Sequence, residues 1–378
     1  MNLIKRLRNQ LLKSNNFYSL VGNLVYATFG FVLFLLLVRM VSKEVYGEWI
    51  IFLASVTLLD MVRLGLTSTG SIRMIVQADE VEKKSIKAAA YQLSLFYHLV
   101  VSIVFLIALP VVIYYYPDSY YLPVLQFYPV LGLVSLPHNQ AAMISQSEIR
   151  FKPIMVLRMI QGACNLVFVV AAVWFFESTT LNIILAIILS TLCVSLFAIA
   201  KRWDQLVLIL IPGRKYYRPI LKFGKYSTAG YLGSNLLRSS DTFLLSLSSV
   251  MGAQAIAIYA IPLKFVELVE IPLRSFTSTA FPKLTAALQL GWPKFNITLI
   301  QYTIVTSVML LPFVAVLVAF APFLLTLVGG PQYADSISLQ LSILYLIAIY
   351  ILVLPADRYT GVALFAMDKP AKNLVKIG

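Results

Sequence analysis

The sequence predicts an all-α integral membrane protein, a polytopic helix bundle, and three observations carry that reading. Of its 378 residues 60% are hydrophobic and only 12% charged, against about 25% charged in a soluble domain. Its apolar runs repeatedly reach about 18 residues, enough to cross about 30 Å of hydrocarbon as helices that satisfy their own backbone groups. The basic residues between those runs fall almost entirely on one side of the membrane.

In chain order, MNLIKRLRNQLLKSNN is basic and amphipathic but lacks the short apolar core and small-residue cleavage site of a signal peptide, so the first span is expected to be retained. Hydropathy then predicts ten spans, at 16–38, 48–72, 89–114, 121–145, 154–176, 180–200, 224–249, 253–281, 297–328 and 336–366. Segments on the N-terminal side of the membrane hold 21 Lys and Arg, and the opposite segments only Arg39 and Lys43. Short loops rich in Lys and Arg stay cytoplasmic, so a bacterial inner-membrane protein with both termini on the cytoplasmic side is expected. YYYPDSYY at 114–121, a Pro-containing turn with interfacial tyrosines and no basic residue, reads as an outer loop.

The net charge of +14 is thus mainly an orientation signal and does not point to nucleic acid. Cys164 and Cys193 sit inside apolar runs and read as buried small hydrophobes, while His98 and His138 are isolated and read as packing residues. The chain shows no phosphate-cradling glycine loop, zinc-ligand spacing or nucleophile elbow.

Charges inside the spans carry the functional signal, because a mid-bilayer charge costs about 2.5–3.5 kcal/mol and turns toward the bundle interior or water. The first span has Asn16, Ser19, Asn23 and Tyr26 on one face, and the second has Asp60, Arg63 and Thr67. The fifth offers Arg158, Gln161 and Asn165. The seventh aligns Ser234, Arg238 and Asp241 with Asn235 beside them, and the eighth aligns Lys264, Glu267, Glu270 and Arg274. Lys225 and Arg358 lie near span ends, where snorkelling accounts for them.

The polar first and charged second spans recur about 210 residues later, setting Asp60 on Glu270 and Arg73 on Lys283. This predicts two pseudo-symmetric lobes, 1–200 and 223–378, joined by a basic linker at 201–222, with a polar cavity between them. The spacing of Arg238 with Asp241 and of Asp60 with Arg63 also suits ion pairs that simply fix packing.

Three stretches, LVRMVSKEVYGEWIIFLASVTLLDMVRLGL at 37–66, FGKYSTAGYLGSNLLRSSDTFLLS at 223–246 and AIAIYAIPLKFVELVEIPLRSFTSTAFPKL at 255–284, resemble the polysaccharide-biosynthesis flippases. These are the Wzx-type O-antigen and repeat-unit transporters of the multidrug/oligosaccharidyl-lipid/polysaccharide (MOP) superfamily. The resemblance implies a MATE-like fold of twelve or more helices in two lobes around a central cavity lined by spans 1, 2, 7 and 8. It also implies a substrate of undecaprenyl diphosphate carrying an oligosaccharide, moved from the cytoplasmic to the outer leaflet. The chain stops at DKPAKNLVKIG, where this family would begin an eleventh span, so the second lobe reads as truncated.

On that footing Arg63, Arg238, Lys264 and Arg274 are candidates to bind the diphosphate, and Asn16, Asn23 and Asn235 to hold sugar hydroxyls. Asp60, Asp241, Glu267 and Glu270 either orient the basic groups or bind a coupling proton or sodium ion. No other cofactor is expected. The expected partners are the lipid-linked substrate, membrane lipids and other polysaccharide-assembly membrane proteins. The rival readings are a cation-coupled multidrug antiporter, which would use those carboxylates, and a membrane glycosyltransferase or polymerase, which would need acids on a sizeable outer loop.

Overall fold

The structure is a computed structural model that describes residues 15–247 and 252–367. The basic N-terminal segment and the start of the expected eleventh span lie outside the described residues. Among the described residues every long element is an α-helix: α1 Asn15–Met40, α2 Lys43–Gln77, α3 Glu80–Tyr115, α4 Leu122–Ser147, α5 Phe151–Phe175, α6 Thr180–Ala200, α7 Tyr217–Ser246, α8 Gly252–Gln289, α9 Trp292–Ala319, α10 Ala321–Gly329 and α11 Ile337–Ala366. Among the described residues eight helical segments are long and apolar enough to cross a membrane, and the protein is a multi-pass membrane protein.

α4 and α7 fall outside those eight, although both coincide with expected spans. α4 is diluted by Pro129, Pro137 and the run HNQ, and α7 by Lys222, Lys225, Asn235, Arg238 and Asp241. Their 26 and 30 residues still give helices of about 39 and 45 Å at about 1.5 Å per residue.

Several boundaries shift for local reasons. α3 starts at Glu80 rather than near 89, because Asp79 caps it by accepting from Glu82 N at 2.8 Å. α7 starts at Tyr217 inside the expected linker, since Pro219 sits in a first helical turn that has no need of its missing N–H. The expected ninth span is two helices. It breaks at Phe320, whose φ of −105° and ψ of 15° leave the helical region just ahead of Pro322 in the first turn of α10. Cys193 is exposed on α6 and Cys164 only partly buried, so neither is the enclosed hydrophobe expected. Both are in the thiol form, and side chains that face lipid account for such exposure in a spanning helix.

Contacts divide the chain into two compact units, Met1–Val41 with Glu48–Ser246, and Ser42–Gly47 with Leu247–Gly378. α7 belongs to the first, whereas the sequence reading opened the second lobe at 223. In the first unit α1 packs on α5, α5 on α6, α3 on α4 and α4 on α6. α7 meets α2 at backbone distance, because a Cβ on Gly224 would lie 2.1 Å from Leu66 O and one on Gly65 2.7 Å from Thr228 Oγ1. Small residues permit such approach between membrane helices. In the second unit α11 packs on α8 and α9 around Ala280, Leu284, Phe295, Tyr359 and Ala363.

The linker is tied to the first unit. Trp203 meets Phe197 edge-on at 5.6 Å, and Gln92 Nε2 donates to Ile209 O at 2.7 Å and Ile211 O at 2.9 Å. Asp204 is buried beneath it, with its Oδ2 unpaired among the described residues. Burial pushes its carboxyl above the ordinary aspartate range, while backbone N–H groups of Asp204, Leu206 and Gln205 hold the shift back.

The folded protein therefore keeps a proton at a pH where the unfolded chain has lost it. Linker docking is fully favoured below the ordinary aspartate value and weakens as pH rises through the raised one. Amide exchange at Gln205–Ile211, corrected for intrinsic rates, is expected to quicken over that window in the natural protein. Asp204→Asn is expected to remove the slope, and a slope unchanged in that variant would contradict this assignment.

Candidate functional site

The polar groups of the first unit meet where α2, α3 and α4 pack. Helical spacing sets Asp60, Arg63, Thr67 and Ser71 along one face of α2. Arg63 is only 1% exposed. Its guanidinium pairs with Asp60 at 3.0 Å, donates to Gly132 O at 3.2 Å and donates to Ser135 Oγ at 3.0 Å. Tyr128 OH donates to Asp60 at 3.4 Å, and Ser94 Oγ donates to Thr67 Oγ1 at 2.9 Å. A pocket of about 10 Å³, the size of one water, lies beside Arg63 between Leu64, Ser68, Tyr91, Ser94, Asn139 and Gln140.

His98 completes the seam, contacting Pro129 O at 2.8 Å and Ser102 Oγ at 3.2 Å from its Nε2. A Cβ on Gly132 would stand 2.4 Å from its ring, so the glycine lets α4 lie against the imidazole and turn its carbonyl to Arg63. Burying a guanidinium costs several kcal/mol unless a carboxylate and further acceptors meet it, and here Asp60, Gly132 O and Ser135 Oγ meet its two terminal nitrogens while Nε is unpaired among the described residues. That placement fits a cation that locks α2 to α4.

A second network joins α1, α5 and α6. Arg158 donates to Asn23 Oδ1 at 2.5 Å, so two stripes read separately in the sequence converge. Gln161 bonds Asn165 and Thr191, each at 3.4 Å, and Ser190 donates to Asn165.

In the second unit α8 carries Lys264 paired with Glu267 at 2.6 Å, both side chains partly exposed. Glu270 is buried and pairs with Arg358 of α11 at 2.5 Å. Snorkelling therefore does not account for Arg358, because it lies inside α11 and neutralises a buried acid. Its position eight residues before the end of that helix was a readable signal. Lys87 departs likewise, being enclosed against Glu148 at 2.5 Å rather than displayed in a basic loop.

Asp241 is exposed on α7. Asn16 and Asn235, with Arg238 and Arg274, stand on α1, α7 and α8, but their side chains lie outside the described residues. Sequence reasoning missed Gly132, Ser135 and Tyr128, which have no charge to mark them.

Residues 12–287 match the family model described as polysaccharide biosynthesis protein. The chain belongs to this polysaccharide biosynthesis family. Its fold is similar to those of solved transporters. An inward-facing multidrug resistance MATE transporter of the MOP superfamily matches at TM-score 0.71 and 16% identity, covering 99% of this chain and 86% of that one. The outward-facing conformation of a multidrug resistance MATE transporter matches at TM-score 0.64 and 17% identity, over 95% and 82%. A MOP transporter from Pyrococcus furiosus, titled for the reverse polarity of its binding pocket, matches at 0.65 and 15%, over 97% and 86%. No curated protein matches the chain. The polysaccharide biosynthesis family thus stands here on a MATE-like helical fold.

Proposed function

We propose that this chain is a flippase that moves undecaprenyl-diphosphate-linked oligosaccharide repeat units from the cytoplasmic to the outer leaflet of a bacterial inner membrane by alternating access. The observation that carries this reading is the polysaccharide biosynthesis family match over residues 12–287, together with a MATE-like fold. The substrate's phosphates and sugars must cross hydrocarbon while its polyprenyl tail stays there. A laterally open polar path answers both demands.

Arg238, Lys264 and Arg274 are proposed to offer charge-assisted hydrogen bonds to the diphosphate, and Asn16, Asn23 and Asn235 to meet sugar hydroxyls. Arg63, with its fork already engaged by Asp60, Gly132 and Ser135, is assigned to the scaffold of the path. A membrane potential negative inside favours outward movement of an anionic headgroup by about 2.3 kcal/mol per charge for each 100 mV.

The test is flux of a labelled lipid-linked oligosaccharide across proteoliposomes holding the full chain. Arg238→Ala is expected to insert normally and slow that flux about tenfold, the loss of one charge-assisted phosphate bond. Flux unchanged at equal reconstitution would remove Arg238 from the substrate path. Export of cationic dyes with no movement of the lipid-linked sugar would overturn the reading as a whole.

A further inference from the structure

The segment between α6 and α7 carries a surface that substrate movement does not use. Val207 is 77% and Leu210 82% exposed, with Leu206 exposed beside them. They lie in a 3-10 turn, Leu206–Leu210, outside the membrane-spanning helices, so hydrocarbon along a span does not account for them. In the same segment Lys201, Arg202, Arg214, Lys215, Arg218 and Lys222 are all exposed, Lys215 facing Glu82 at 3.7 Å, while Asp204, the one acid among residues 201–222, is buried.

The turn is held with these tips outward. Gln92 grips the carbonyls of Ile209 and Ile211, and Tyr217 OH donates to Gln92 Oε1 at 2.8 Å. Tyr216 OH donates to Glu82 at 2.9 Å, and Gly213 sits against the backbone of Ala89. An exposed apolar turn flanked along the chain by exposed cations is the composition of a membrane-surface element rather than of a water-facing loop.

We propose that residues 203–218 form an interfacial anchor that seats Val207 and Leu210 in the headgroup layer and selects acidic phospholipids of the leaflet it faces. Lipid is the occupant because the segment leaves a spanning helix at Ala200 and enters α7 at Tyr217, which keeps it at the membrane surface. The charge asymmetry of the loops assigns that surface to the cytoplasmic leaflet, whose negative potential complements the segment's exposed cations, Lys201, Arg202, Arg214, Arg218 and Lys222 above all. This inference is independent of what the protein transports.

The experiment uses the full chain in nanodiscs, with Cys164→Ala and Cys193→Ala clearing the native thiols and Val207→Cys carrying an environment-sensitive fluorophore. The discs contain doxyl-labelled phosphatidylglycerol or phosphatidylcholine at equal mole fraction. Expected are blue-shifted emission and quenching on the order of twofold to fivefold stronger by the acidic lipid, the scale of one cation at a charged membrane surface.

High salt is expected to abolish the preference while leaving the quenching. Arg202→Gln with Arg214→Gln and Arg218→Gln, all exposed positions, is expected to do the same. Should that variant not fold, the salt arm on the unsubstituted cations carries the test. Equal quenching by both lipids at low salt would overturn the selectivity. Water-like emission, or blue-shifted emission without quenching as under a covering protein, would overturn the anchor.

Discussion

Asp60→Leu is expected to destabilise the first unit by about 3–5 kcal/mol, more than Arg63→Met does, because each variant strands the other charge in a different place. Arg63 is enclosed, with 1% of its side chain exposed, whereas the side chain of Asp60 keeps 27%. Without Asp60 the guanidinium retains, among the described residues, only the neutral acceptors Gly132 O and Ser135 Oγ, beside a pocket with room for about one water. Without Arg63 the carboxylate can take up water and a bond from Tyr128, so the loss is nearer 1–3 kcal/mol, the cost of one buried group losing its partner.

The double variant Asp60→Leu with Arg63→Met leaves no charge stranded and is expected to recover most of the loss. Thermal inactivation followed by size-exclusion elution of the four proteins measures the cycle. Arg63→Met proving the worse single variant would contradict the enclosed-cation account. A double variant as stable as the natural protein but unable to move substrate would return Arg63 to the transport path.

Gly224→Val is the second large effect. The added carbons would meet the Leu66 carbonyl group of α2 at 2.1 Å from oxygen and 2.7 Å from carbon. These are backbone atoms, which cannot rotate aside as a side chain would, so the two helices must part. Overpacking of this kind costs about 1–3 kcal/mol, and a backbone contact puts it at the upper end. Gly30→Ala is the control. Nothing lies within 4 Å of a Cβ added at Gly30 in α1, and helix propensity favours alanine there by up to about 1 kcal/mol. Equal elution and melting of Gly224→Val and Gly30→Ala would exclude close contact between α2 and α7.

The helices were legible because hydropathy is a property of each residue and sums along the chain. α5 and α6 follow the expected spans closely, at Phe151–Phe175 and Thr180–Ala200. Boundaries moved where one local group outweighed the sum: Asp79 as a cap extended α3, and Pro322 split the ninth span. The candidate site was legible in part. Helical spacing set Asp60 beside Arg63 and Lys264 beside Glu267, and both pairs form. It could not set Glu270 with Arg358, 88 positions away, or Asn23 with Arg158, 135 away, since nothing in either stretch encodes the other's distance.

By itself the sequence determined that this chain is a membrane bundle and which of its helices carry charge. The reason is energetic and local: each apolar side chain contributes to insertion on its own, and each intramembrane charge stands out by its cost. Only the tertiary structure decided which charges meet. It enclosed Arg63 between α2 and α4 and gave Glu270 to Arg358. Partner choice depends on how closely backbones approach, and that is set by glycines such as Gly132 and Gly224, whose hydropathy carries no sign of the neighbour they admit.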